Sequence, residues 1–235
     1  MFQTFVGNDQ VLPVRSFEGL SAGPSLTAFF DLEKFKAAAL AREPFDFVVV
    51  PHFLRPEVFE AVAAAFPKVP GPGSFPPEAL EIHGAFGALL DVLKAADFQQ
   101  AIGRKFEIDL TDRPKMLTIR GHARRKDGAL HTDTASKLIS VLLYLNEDWP
   151  AEGGRLRLLR SRDMNDSIVE IPPDSGTLVA FRRSNVSWHG HRPYEGQRRA
   201  VQLNWMTDNG AAKRESGRHF VTAALKKIKS CIGKR

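Results

Sequence analysis

The stretch HTDTASKLISVLLYLN, residues 131–146, decides how the rest of the chain is read. It opens with an imidazole and a carboxylate two positions apart, His131 and Asp133. Side chains at i and i+2 of a strand share a face, so the two could grip one ion together. The run 137–145 behind them is almost continuously apolar and reads as a buried strand. Further out, Gly153-Gly154 permits a turn, and residues 155–158 alternate Arg and Leu. Leu156 and Leu158 should face inward there, with Arg155 and Arg157 on a solvated face; docking of an acidic partner is the minor alternative. Residues 168–171, 177–182 and 199–205 supply further strand patterns. Between the last two lie His189 and His191, either of which could complete a three-ligand set.

Two His and one carboxylate with open positions form the facial set of non-haem Fe(II) oxygenases. H-x-D alone is a weak signal, and its weight comes from the ordered series around it. From about residue 114 to 205 the chain resembles the Fe(II)/2-oxoglutarate dioxygenases, in particular their prolyl 4-hydroxylase-like branch. The residues that carry the resemblance are His131 and Asp133, Tyr144-Leu145-Asn146, Gly153-Gly154, the segment from Pro173 to Phe181, His189 with Pro193, and Arg198-Arg199. It implies a mainly β fold with flanking α-helices, a double-stranded β-helix of jelly-roll or cupin type buttressed by N-terminal helices. It also implies that His131, Asp133 and His189 are the metal ligands and the catalytic centre. The family's distal His usually stands four before the Pro, which selects His189 over His191. His191 is then expected to be solvated or structural, with a second contact to metal site or substrate as the other reading.

The implied cosubstrate, 2-oxoglutarate, needs a cation for its distal carboxylate, and a guanidinium offers two parallel bonds. Counting two from Gly196 gives Arg198; counting six back from Trp205 gives Arg199. Strand alternation decides for Arg199, which shares a face with Val201, Leu203 and Trp205, an apolar set expected inside the barrel. Arg198 would then meet solvent or an acidic side chain. The chain departs from the family at Arg120, where Gly121-His122-Ala123 follows in place of the usual Tyr. That leaves the cosubstrate's second contact unassigned. Asp133 itself favours hydroxylation, since related halogenases lack the carboxylate.

Composition fits a globular enzyme: 43% hydrophobic and 26% charged residues in a chain of 235. A net charge of +6 permits acidic partners without demanding them. The single Cys231 cannot form an internal disulfide, so a reducing, cytoplasmic setting is expected. No secretory pattern opens the sequence, and no apolar run is long enough to span a membrane. No aromatic stacking platform for nucleic acid is visible.

Residues 1–106 read as a lead segment and supporting helices of the same fold, residues 107–210 as the oxygenase core, and residues 211–235 as a basic C-terminal helix. A short strand is expected at 10–14 and a helix at 32–42 capped by Asp31. A strand follows at 45–50 and a helix from Pro56 to about 66. The Pro/Gly-rich segment 68–77 is a loop, a connector more readily than a lid. Helices are expected at 77–93 and 96–106, short strands at 108–110 and 116–119, and a turn-rich basic segment at 121–128.

The activity implied is Fe(II)- and 2-oxoglutarate-dependent hydroxylation of an unactivated C–H, on a prolyl-like protein side chain or a small molecule. O2 is consumed, and succinate and CO2 are released. Ascorbate as reductant is a further implication. The competing classes are a non-catalytic cupin-like binding module, a zinc-dependent hydrolase and a nucleic-acid demethylase.

Overall fold

The computed structural model describes residues 25–214. The strand expected at 10–14 and the basic C-terminal helix lie outside them. Five helices, α1 (Leu26–Phe29), α2 (Leu32–Ala37), α3 (Pro56–Ala64), α4 (Gly84–Lys94) and α5 (Ala96–Phe106), precede most of the strands. The strands are β1 (Phe47–Val50), β2 (Lys115–Ala123), β3 (Lys137–Tyr144), β4 (Leu156–Leu159), β5 (Ser167–Ile171), β6 (Leu178–Arg182), β7 (His189–His191) and β8 (Gly196–Met206). They form an antiparallel five-stranded sheet in the order β1-β6-β3-β8-β2 and a three-stranded sheet in the order β5-β4-β7. This is the expected two-sheet β-helix with its helical buttress.

Two apolar layers hold it together. Strand alternation sends Leu117 and Ile119 of β2, Val141 and Leu143 of β3, and Val201, Leu203 and Trp205 of β8 to one face. That face packs under the helices, against Phe86, Leu89, Phe98 and Ile102. The opposite face supplies Leu142, Tyr144, Val179, Phe181 and Ala200, which meet Leu156, Leu158 and Ile171 of the smaller sheet. The outer face of the large sheet is therefore as dry as a barrel interior would be, because helices cover it. Leu156 and Leu158 point inward as read, while Arg155 and Arg157 both pair with Glu170 of the neighbouring strand.

Local chemistry sets the element boundaries. The Asp31 side chain accepts from the Lys34 amide at 3.0 Å and starts α2, which is shorter than its apolar pattern. The helix expected at 77–93 is broken. A single 3-10 turn, Pro77–Ala79, is followed by extended backbone, and α4 begins at Gly84. Residues 108–110 form no strand, whereas β2 runs on through Ala123. The 68–77 segment docks by one rung, Phe75 against Ile119 on the free edge of β2, so it caps that edge.

Candidate functional site

The H-x-D segment lies outside the regular strands. His131 and His189 exchange backbone hydrogen bonds of 3.0 and 2.9 Å, a single antiparallel rung that joins the segment before β3 to β7. That rung sets the two imidazoles side by side, with ring centres 4.3 Å apart. His131, Asp133 and His189 each offer a ligand atom, all within 4.8 Å of one another. His191 is not part of the cluster; the imidazole that joins it is His189, the one four before Pro193.

The tautomers follow from the partners. His131 Nδ1 lies 2.8 Å from the Ala129 carbonyl, and His189 Nδ1 lies 3.0 Å from the Ser187 carbonyl. A carbonyl can only accept, so each Nδ1 carries the proton and each Nε2 keeps its lone pair for a metal. Asp133 is 6% exposed. Ser140 donates to its Oδ2 at 2.5 Å, Lys137 donates to its Oδ1 at 2.7 Å, and Arg183 holds its backbone carbonyl at 3.1 Å. Burial alone would raise this carboxyl, but Lys137, His189 and the Ser140 bond outweigh it and hold it at about 2. Burial pushes His189 down to about 4, with the Asp133 charge opposing only in part. At neutral pH Asp133 is thus a carboxylate and His189 a neutral imidazole, and with the Nε2 of His131 they make up the two-imidazole, one-carboxylate donor set that suits a divalent cation.

The cluster opens into a cavity of about 290 Å³ whose floor is ruled by strand register. Met116, Asn204 and Ser140 form one row across β2, β8 and β3. Thr118, Gln202 and Leu142 form the next, and Arg120, Ala200 and Tyr144 the third. Asp133 stands on Ser140 in the first row, and His189 packs on Phe181 with ring centres 4.7 Å apart. Asn204 is fully buried, and its Nδ2 has no partner.

Arg198 lines the same cavity at 6% exposure, whereas Arg199, the expected anchor, does not. The guanidinium of Arg199 lies on the helix side, over Phe66 at 5.1 Å and bonded to the Ala63 carbonyl at 3.3 Å. The alternation was read correctly but the faces were exchanged. The apolar face of β8 packs under the helices, and the polar face, with Arg198, Gln202 and Asn204, forms the cavity. Arg198 Nε donates to the Gly154 carbonyl at 2.8 Å, and its guanidinium stacks on Tyr144 at 5.2 Å, with a 3.4 Å contact to the phenol oxygen. Burial raises the Tyr144 pKa, so the phenol stays a neutral donor. Gly154 is at φ +78, and a Cβ there would stand 2.6 Å from Trp149, so glycine brings this carbonyl to the arginine.

His191 is buried, not solvated, and lines the cavity. Its Nδ1 donates to the Arg192 carbonyl, and burial with Arg198 nearby holds it at about 4. Gly128, at φ +84, lies so close that a Cβ would stand 2.3 Å from the imidazole. Gly128→Ala should therefore push His191 into the cavity and cost about 1–2 kcal/mol in backbone strain alone. The expected outcome, checked by melting and by anion binding, is a less stable protein with a smaller cavity.

The sequence alone assigns no role to Tyr144, Arg120 or the Ser140–Asp133 bond, and for His191 it weighs a solvated or structural place against a contact beside the metal or with substrate. Tyr144 was legible as a motif residue, and its alternation with Leu142 could have placed it on the cavity side. Two buried imidazoles that resist protonation make the metal-free fold acid-sensitive. Their folded values lie near 4 and the unfolded value near 6.5. Between these the unfolded chain binds more protons, so stability falls as pH drops through that window and is level above it. The melting temperature of metal-free protein should fall by several degrees between pH 7 and pH 4.5. His191→Gln should flatten part of that slope.

Among the described residues no helix is long and apolar enough to cross a membrane. Residues 120–207 match the family model of the 2OG-Fe(II) oxygenase superfamily. A prolyl-4-hydroxylase from Pseudomonas putida shares the fold with a TM-score of 0.50 and 19% identity, over 80% of this chain and 97% of that one. A prolyl hydroxylase from Trichoplax adhaerens, in complex with a hypoxia inducible factor oxygen degradation domain peptide fragment, gives 0.49 at 14% identity over 77% and 89%. An oxidoreductase of the 2OG-Fe(II) oxygenase family from Burkholderia pseudomallei gives 0.47 at 14% over 69% and 86%. No curated protein matches the chain.

Proposed function

We propose, from the match of residues 120–207 to the 2OG-Fe(II) oxygenase family model and from the geometry of the cluster, that this chain is a hydroxylase of that superfamily in which His131, Asp133 and His189 hold Fe(II) and Arg198 anchors 2-oxoglutarate. The observation that carries this reading is that the three-ligand cluster and a buried arginine share one cavity. Fe(II) and 2-oxoglutarate, when bound, supply the O2-dependent oxidation that ends in succinate, CO2 and a hydroxylated C–H.

The rest is the work of the chain's own groups. The Ala129 and Ser187 carbonyls fix both imidazoles with Nε2 free, and Ser140 and Lys137 orient the Asp133 carboxylate. Each carboxylate oxygen has two lone pairs, so capacity remains for an ion after both bonds. Arg198, aimed by the Gly154 carbonyl, meets the distal carboxylate of the cosubstrate together with the neutral Tyr144 hydroxyl. Tyr144 thereby takes the place of the tyrosine that the chain lacks after Arg120. Arg198 and Tyr144 are both buried, and low exposure to solvent strengthens each of these charged bonds.

The substrate is a protein side chain, prolyl-like, or a small molecule. The floor nearest Asp133 is polar, with Asn204 Nδ2 unpartnered, so a substrate carrying a hydrogen-bond acceptor is favoured. The test is succinate release from purified protein with Fe(II), 2-oxoglutarate and ascorbate, against fractionated peptides and metabolites. Stimulation by one fraction, lost on chelation, supports the reading. Turnover of an ester or amide with zinc and without 2-oxoglutarate would replace it with a hydrolase.

A further inference from the structure

Arg120 has no task in the reading above. It sits on the cavity face of β2, opposite Ala200, and lines the same cavity as Arg198 and Tyr144. Its Nε is buried and without a hydrogen-bond partner. The nearby carboxylates are committed elsewhere, Asp127 to Arg124 and Asp133 to Lys137. Neither Arg120 nor Arg198 has an ion pair among the described residues. A guanidinium cannot shed its proton in a protein, so two of them at one end of one cavity leave a strong demand for negative charge. Burial weakens the Arg120 cation, and repulsion from Arg198 adds to that. His191 is neutral at pH 7 and brings no third charge.

We propose that Arg120 and Arg198 close on the distal carboxylate of the 2-oxoacid as a two-guanidinium clamp, and that Arg120 sets the preference for a dicarboxylate over a monocarboxylate. This rests on the assignment of the cavity to 2-oxoglutarate. One carboxylate offers two oxygens and about four lone-pair sites, enough for donors from both arginines and from Tyr144. An unpaired buried cation destabilises the empty fold, so the ligand supplies what the polypeptide withholds.

The test is calorimetric titration of 2-oxoglutarate and of 2-oxopentanoate, the same length without the distal carboxylate, into protein loaded with redox-inert Ni(II). Melting of ligand-free protein is measured alongside. Arg120→Met should weaken 2-oxoglutarate about 10- to 100-fold, the loss of one charge-assisted contact, and leave 2-oxopentanoate unchanged. The ligand-free variant should melt no lower than the wild type, and Arg120→Lys should recover part of the selectivity. Wild-type selectivity in Arg120→Met, or equal loss for both acids, would overturn the clamp. A wild-type protein that does not prefer 2-oxoglutarate, or an Arg198→Met variant that binds it normally, would instead remove the underlying cosubstrate assignment.

Discussion

Replacing His189 with alanine is expected to abolish both iron binding and 2-oxoglutarate turnover, and His131→Ala and Asp133→Ala should do the same. Groups that merely orient a ligand cost about 10–100-fold in metal affinity when lost, so removal of a ligand should cost more. The three residues come from one bridged pair of segments, and no fourth His, Cys, Asp or Glu joins the cluster among the described residues. The control is His191→Ala, two positions away on the same short strand, which should keep its metal. Metal content and spectroscopic titration with Co(II) read this without any substrate. Full metal binding in His189→Ala together with its loss in His191→Ala would show that the wrong imidazole has been chosen.

The second large effect is at Arg198. Its loss removes a buried, charge-assisted contact, worth about 2–4 kcal/mol in 2-oxoglutarate affinity. Arg198→Lys should restore little, because an ammonium cannot reproduce the planar fork held between the Gly154 carbonyl and the Tyr144 ring. Arg199→Ala should leave cosubstrate affinity within about twofold and instead cost up to about 1 kcal/mol of stability, from its contact over Phe66 at the helix boundary. A titration of both alanine variants decides the matter. A greater loss of affinity in Arg199→Ala would return the anchoring role to Arg199.

The contrast between these neighbours shows what a single sequence makes legible. The grouping of His131, Asp133 and His189 was readable because its determinants are local: two residues two apart, and an imidazole four before Pro193. The helices α2, α3 and α5 were readable from caps and period. The face of β8 was not, because alternation assigns residues to two faces and says nothing about which face meets which layer. The helices supply a second dry layer, so the apolar face turned outward. The break at Gly84 was hidden for a related reason. The apolar pattern at 77–93 runs through it, and only the backbone at φ +57 shows where α4 starts. The burial of His191 was not legible because it depends on Gly128, distant in sequence and lacking the side chain that would fill the space.

The pairing of β8 with its neighbours also acts as a device for alignment. Arg198 and Arg199 stand side by side, so sliding the strand by one residue against β2 and β3 would exchange them. It would also drive Val201, Leu203 and Trp205, each at most 1% exposed, into the polar cavity. Expelling them forfeits about 1.5–3 kcal/mol for each aliphatic side chain, and more for the indole. The N-terminal helices, by receiving those three side chains, proofread the strand and reject the neighbouring alignment. A chain stripped of that layer could still pair its strands, but it would have lost the arbiter between two adjacent arginines.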